Sequence, residues 1–217
     1  LAYGSLPQIR RSVREALSRL GEHPAATLAK CRARWELETM YQTFRHRWTS
    51  GRDVADLLWA VRECRRHWGS LENAMLAGRP PAEPLRESLV RFIARLTAAS
   101  GGIRPNLLAD PRRGSACKRL LLFLRWMVRC DQVDPGGWSR LHPRELMMPL
   151  DVHTFRAARQ LGLTRRRTPT WNAAEEITAQ LQRLAPEDPV RYDFALAHAG
   201  AARRRPRYNE RRSAAPR

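Results

Sequence analysis

Apolar residues recur at intervals of three and four along most of the chain and nowhere alternate over a strand-length run, which restricts the fold to helices packed on helices. Leu6, Ile9, Val13, Leu17 and Leu20 form one stripe, opened by Pro7 and closed by Gly21. Further helices are expected at about 26–47, at 51–68 with a Ser50…Asp53 capping box and Gly69 behind it, and at 83–99 before Gly101. The second half repeats the scheme. It predicts helices near 115–130 with Ser115 as N-cap, 151–161 between the cap Asp151 and the stop Gly162, 171–184, and 189–199 between Pro189 and Gly200. The expected class is all-α.

Loops containing Pro105, Pro111, Pro135, Gly136 and Gly137 separate these helices, and Ser100-Gly101-Gly102 is the natural hinge between two lobes of about 1–100 and 103–200. Together they make a single domain over 1–200. Residues 201–217 carry seven arginines among Ala, Pro and Ser, too polar to pack, and read as a flexible basic tail that either touches phosphates or has no role. The chain opens at Leu1, without methionine and inside a segment that reads as ordered, so further residues are expected upstream. No run approaches the ~18 apolar residues of a membrane span. A cytoplasmic, nucleoid-associated monomer without membrane contact is expected.

The formal net charge of +19 points to a polyanionic partner, nucleic acid first, although a high-GC genome also inflates arginine. That bias sharpens one observation: of 40 basic residues only Lys30 and Lys118 are lysine. Arginine serves wherever charge alone is wanted, but it cannot release a proton and act as a nucleophile. Cys31, Cys64, Cys117 and Cys130 are scattered, without metal-ligand spacing, and read as reduced core thiols. This excludes a zinc site and an iron–sulfur cluster, and no cofactor is expected.

Two segments carry chemistry. In Asp110–Arg119, small residues run into an apolar helix. Gly114, Ser115 and Ala116 let a phosphate approach backbone amides at a helix start, and Arg112, Arg113 and Arg119 add charge. Lys118 falls in the first turn, where the helix dipole, its arginine neighbours and partial desolvation favour the neutral amine that nucleophilic attack requires. An ordinary phosphate-binding lysine is the alternative. In Pro149–Arg156 an aspartate opens a helix. Asp151 reads as an N-cap, a role compatible with a second one in chemistry, and His153 reads as structural or catalytic.

Pro149–Arg156 resembles the Val-Asp-Thr-His-x-x-Arg signature of the helix-hairpin-helix DNA glycosylase superfamily, which includes endonuclease III. The resemblance covers about 110–205. Asp151, His153 and Arg156 match the signature, and Lys118 matches the lysine of the Gly-x-Gly-x-Lys hairpin. Lys118 and Asp151 stand 33 positions apart, an interval similar to that of the archaeal 8-oxoguanine glycosylase branch. The pattern Gly-Ser-Ala-Cys-Lys-Arg-Leu with Pro-Leu-Asp-x-His is also similar to an uncharacterised bacterial family related to those enzymes. The chain departs from the pattern at Ala116, where the hairpin has its second glycine, and in having no cluster cysteines after Gly200.

The resemblance implies two helical lobes flanking a cleft, and a base-excision enzyme acting on double-stranded DNA that contains a damaged base such as 8-oxoguanine. Lys118 would attack the sugar, with Asp151 as its carboxylate partner, and a Schiff base would add AP lyase activity. Trp126, Trp138 and Trp171 are candidates to hold the flipped base, each with a core role as the alternative. A competing reading from another class is a non-catalytic DNA- or RNA-binding protein with the same fold. Against it stands the rare lysine, since a binding module would accept arginine at 118.

Overall fold

A computed structural model describes residues 1–103 and 107–202. Pro105 and all of the basic tail beyond Ala202 lie outside the described residues. Within them the protein is helical, with ten α-helices and one small antiparallel hairpin. None of these helices is long and apolar enough to cross a membrane. The chain divides into two compact units, Leu1–Arg113 and the residues from Gly114 onward. The division falls beyond the Ser100–Gly102 turn because the 3-10 turn Pro111–Arg113 still packs on the first unit, where Arg86 donates to the Pro111 carbonyl at 3.2 Å.

The first unit contains α1 (Leu6–Ser18), α2 (Pro24–Lys30), α3 (Arg34–Tyr41), β1 (Arg45–His46), β2 (Thr49–Ser50), α4 (Gly51–Trp68), α5 (Leu71–Leu76) and α6 (Leu85–Ser100). Its core gathers Leu20, Leu28, Cys31, Leu37, Tyr41, Phe44, Val54 and Ala55. The stripe expected to bury α1 does not do so, as Leu6, Val13 and Leu17 are exposed. Polar contacts hold that helix instead. The Ser12 hydroxyl meets the His46 ring at 2.9 Å, Tyr41 donates to the Ala16 carbonyl, and Arg19 donates to the Met40 carbonyl.

The single helix expected over 26–47 is a second correction. It breaks at Cys31–Ala33, where the Glu36 carboxylate reaches back to the amides of Arg32 and Ala33 and starts α3 afresh, and it ends in the hairpin. The hairpin turn places Arg47 at a φ of 52°, a left-handed conformation that costs a non-glycine residue ~1 kcal/mol. The capping box at Ser50 and Asp53 is present as expected, and Gly69 and Gly101 end α4 and α6 with positive φ. Ser50→Ala should therefore lower the unfolding free energy by about 1 kcal/mol, and Ser50→Gly by less. An unchanged urea midpoint in the alanine variant would show the box to be energetically idle.

The second unit contains α7 (Lys118–Val128), α8 (Val152–Gln160), α9 (Trp171–Gln182) and α10 (Asp193–Ala202). Leu121, Leu124, Met148, Ile177 and Val190 are buried in it. Cys130 is exposed rather than in the core, in the turn that brings Gly136 close to its side chain. Residues 189–199 are not one helix from Pro189 to a stop at Gly200. A 3-10 turn, Pro189–Tyr192, precedes α10, and Gly200 lies inside that helix against α8.

Candidate active site

The strand-like approach to α8 is fixed by burial of Met148, Pro149 and Leu150 and by the bond from the Met148 amide to the Thr178 hydroxyl at 2.9 Å. It delivers Asp151 in an extended conformation at the N-cap. Oδ1 accepts from the amides of His153 and Thr154, each at 2.8 Å. Oδ2 is left to face Lys118, whose Nζ stands 3.5 Å away. Burial works against the Asp151 charge, but the Thr154 amide, the Lys118 ammonium and the His153 amide outweigh it, so the carboxyl lies below its usual range. The group stays anionic through the neutral and mildly acid range.

Lys118 is the first residue of α7. Ser115 does not cap that helix, as the sequence had suggested. Its hydroxyl takes the Cys117 amide at 3.2 Å, two residues on, and its backbone pairs with Thr170. Cys117 then adopts the left-handed conformation, with φ at 48°, and the helix starts one residue later. The carbonyl of Gly114 accepts from the Trp171 amide at 3.3 Å, so the turn before Lys118 is tied to the start of α9. The Cys117 side chain makes no cap bond to α7 among the described residues, and the helix start and the Lys118 ammonium share one end of a helix, a geometry suited to an anion.

The remaining predicted residues are divided. Ser115, Ala116 and Arg119 belong to this turn and helix start, with Ala116 buried, Ser115 and Arg119 half-buried and Gly114 exposed. Arg112 and Arg113 belong to the first unit and are exposed, but Arg112 is clasped by the Asp110 carboxylate through Nε and NH2. That pair leaves Arg112 less charge to offer a phosphate. Arg156 donates to the Gly200 carbonyl at 3.2 Å and fastens α8 to α10. The buried Nδ1 of His153 has no hydrogen-bond partner among the described residues.

Of the three tryptophans, Trp171 is fully buried and donates to Glu175 at 2.6 Å, so it is core and offers no face to a base. Trp138 is half-buried and packs edge-on against Phe123 at 5.5 Å, whereas Trp126 on α7 is 38% exposed.

Two features of this unit escape the sequence reading. Beneath α8 lies a buried charge network in which Arg125 bridges Asp134 and Asp193, and the Thr154 hydroxyl donates to Asp193 at 3.4 Å. Thr154 thus bonds Asp193 through its side chain and Asp151 through its amide. Beside the start of α8 opens a hollow of about 460 Å³, lined by Val152, Phe155, Arg156, Arg159, Gln160 and Arg167, with Pro169 at its rim. Neither Arg159 nor Arg167 stands out in a chain so rich in arginine.

No curated protein and no solved structure matches the chain. A family model does, over residues 1–202. The chain belongs to that family, DUF2400, described as proteins of unknown function.

Proposed function

We propose that the protein is a DNA glycosylase of the helix-hairpin-helix kind that removes an oxidised purine, such as 8-oxoguanine, and then cleaves the strand as an AP lyase. The observation that carries this reading is the 3.5 Å approach of the Lys118 amine to the free oxygen of Asp151. An amine nucleophile and an anion are paired at the end of a helix, in a chain where lysine is otherwise almost absent.

Because Asp151 is held anionic, it is a weak proton acceptor and a persistent negative charge. Its main contribution is to stabilise the positive charge that develops on the sugar as the base departs. Once the Lys118 ammonium has released a proton to solvent, its amine forms a bond to C1′ while the C1′–N9 bond breaks and the base leaves with that electron pair, taking up a proton. The amine loses its own proton. Opening of the C1′–O4′ bond, with a proton to O4′, gives the Schiff base. Loss of a C2′ proton then expels the 3′ phosphate by β-elimination. The basic hollow beside α8 suits a neighbouring backbone phosphate.

Borohydride trapping on labelled duplexes carrying 8-oxoguanine, uracil or an abasic site tests the reading. The wild type should form a covalent adduct on the 8-oxoguanine duplex, and Lys118→Gln should form none. Asp151→Asn preserves the cap while removing the charge, so it should fold normally and release base ~100-fold or more slowly. Duplex binding with neither adduct nor base release would favour the non-catalytic nucleic-acid-binding reading.

A further inference from the structure

The first unit presents an aromatic surface that the amine chemistry does not use. The two-residue turn of the β1–β2 hairpin projects Arg47 and Trp48, both exposed, and Trp48 is 66% accessible. One face of its indole stacks on Tyr3, with ring centroids 5.7 Å apart and planes inclined by 8°. Tyr3 is itself immobilised. Its hydroxyl bonds the His46 carbonyl at 2.9 Å and the Thr49 hydroxyl at 2.6 Å, and its carbonyl meets the buried His46 ring at 3.0 Å.

The position of Arg47 decides which face of the indole is open. Its guanidinium carbon lies 4.4 Å from the Trp48 ring centre and 6.0 Å from that of Tyr3. Groups on opposite faces of a flat ring are separated by ~7 Å, twice the van der Waals contact distance. Arg47 and Tyr3 therefore lie on the same side of Trp48, and its 66% exposure leaves the other face open among the described residues.

An exposed flat indole backed by a rigid stack, with cations at its edge, is a platform for a planar ligand carrying negative charge. Arg45 on the same hairpin is exposed as well. Gly4 lies against both Arg47 and Gln8, and Gln8 lines an open hollow of about 440 Å³ with Ser5, Pro7 and Arg11. Arg45 and Arg47 on the hairpin and Arg11 on α1 are thus cations of this part of the unit. The left-handed Arg47 forms this turn without a glycine, at a strain of ~1 kcal/mol.

We propose that Trp48 is a stacking site for one unpaired nucleobase of a single-stranded segment, with Arg47 and Arg11 receiving the adjoining phosphates. This goes beyond the glycosylase reading and stands without it, since it needs neither Lys118 nor Asp151.

The test uses fluorescence anisotropy of the full chain with a labelled thymidine oligonucleotide and with an abasic chain of equal length. Trp48→Ala should weaken binding to the thymidine chain on the order of 10-fold and leave the abasic chain unaffected. Trp48→Phe should restore most of the loss. Equal losses on both chains would reduce Trp48 to a backbone contact and overturn the proposal, as would no loss on either. A loss confined to phosphatidylglycerol vesicles would assign the platform to an anionic membrane surface instead. If trapping fails on every lesion while the thymidine-specific loss remains, the glycosylase reading falls and this one stands.

Discussion

Arg125→Ala is expected to cost about 3–5 kcal/mol of stability at neutral pH, the largest effect of any single substitution proposed for this protein. Arg125 is 4% exposed, and its guanidinium is shared between Asp134, at 3.0 Å, and Asp193. Both carboxylates are buried, Asp134 completely. Asp134 keeps a second partner in Arg129, but among the described residues Asp193 would retain only the weak bond from the Thr154 hydroxyl. Truncation would strand a buried anion, which is far costlier than never having built the pair.

The pH dependence gives the expectation a sign. Burial already pushes the Asp193 carboxyl up, against the pull of Arg125. A carboxyl raised in the folded state contributes stability below its unfolded value and loses it as pH rises through the folded one. Without Arg125 the folded value rises further. The deficit relative to wild type should then be largest near pH 7 and shrink toward pH 4, as protonation of Asp193 in the folded state relieves the stranded charge. Urea unfolding at the two pH values measures it, and a deficit below about 1 kcal/mol at pH 7 would mean that the network carries no net stability.

That network also marks the limit of what the sequence discloses. Local signals were legible wherever one residue satisfies its neighbours. Ser50 and Asp53 announce α4, and Asp151 announces α8, because a cap and its amides lie within three residues. The Lys118–Asp151 approach was legible through a resemblance and through the scarcity of lysine, not through any periodicity. Arg125 and Asp193 are 68 positions apart, and no pattern of spacing pairs two charges so distant.

The errors have equally specific causes. Glu36 restarts a helix at Ala33 with no glycine or proline to mark the break, and Arg47 occupies a conformation usually left to glycine, so the hairpin carries no turn signature. The apolar stripe of α1 has the right period, but period alone does not say that a partner covers it. Trp48 shares its residue type with six others and its exposure with Trp35, and its stack on Tyr3 sets it apart.

Gly200→Ala should be the second most damaging of the substitutions proposed, at about 2–3 kcal/mol, and under the proposed function it should lower the trapping yield without touching Lys118 or Asp151. Glycine near a helix end reads as a stop, but Gly200 sits within α10. A Cβ there would stand 2.0 Å from the His153 carbonyl oxygen and 2.6 Å from its carbon. Both are backbone atoms of α8, so no rotamer change relieves the clash. The two helices must part, and the Arg156 bond to the Gly200 carbonyl would be strained with them. Alanine's better helix propensity returns ~1 kcal/mol and does not offset this.

Since α8 carries Asp151 at its cap, its displacement would move the carboxylate relative to Lys118. Trapping yield should therefore fall in step with the thermal midpoint. Gly162→Ala is the control. Gly162 has a positive φ of 74° but open space around a Cβ, so alanine there meets only the left-handed penalty of ~1 kcal/mol. If Gly200→Ala proved no worse than this control, the close approach of α8 and α10 would not be what positions Asp151, and the burial of Phe155, Ala157 and Ala158 on α8 would have to hold the aspartate alone.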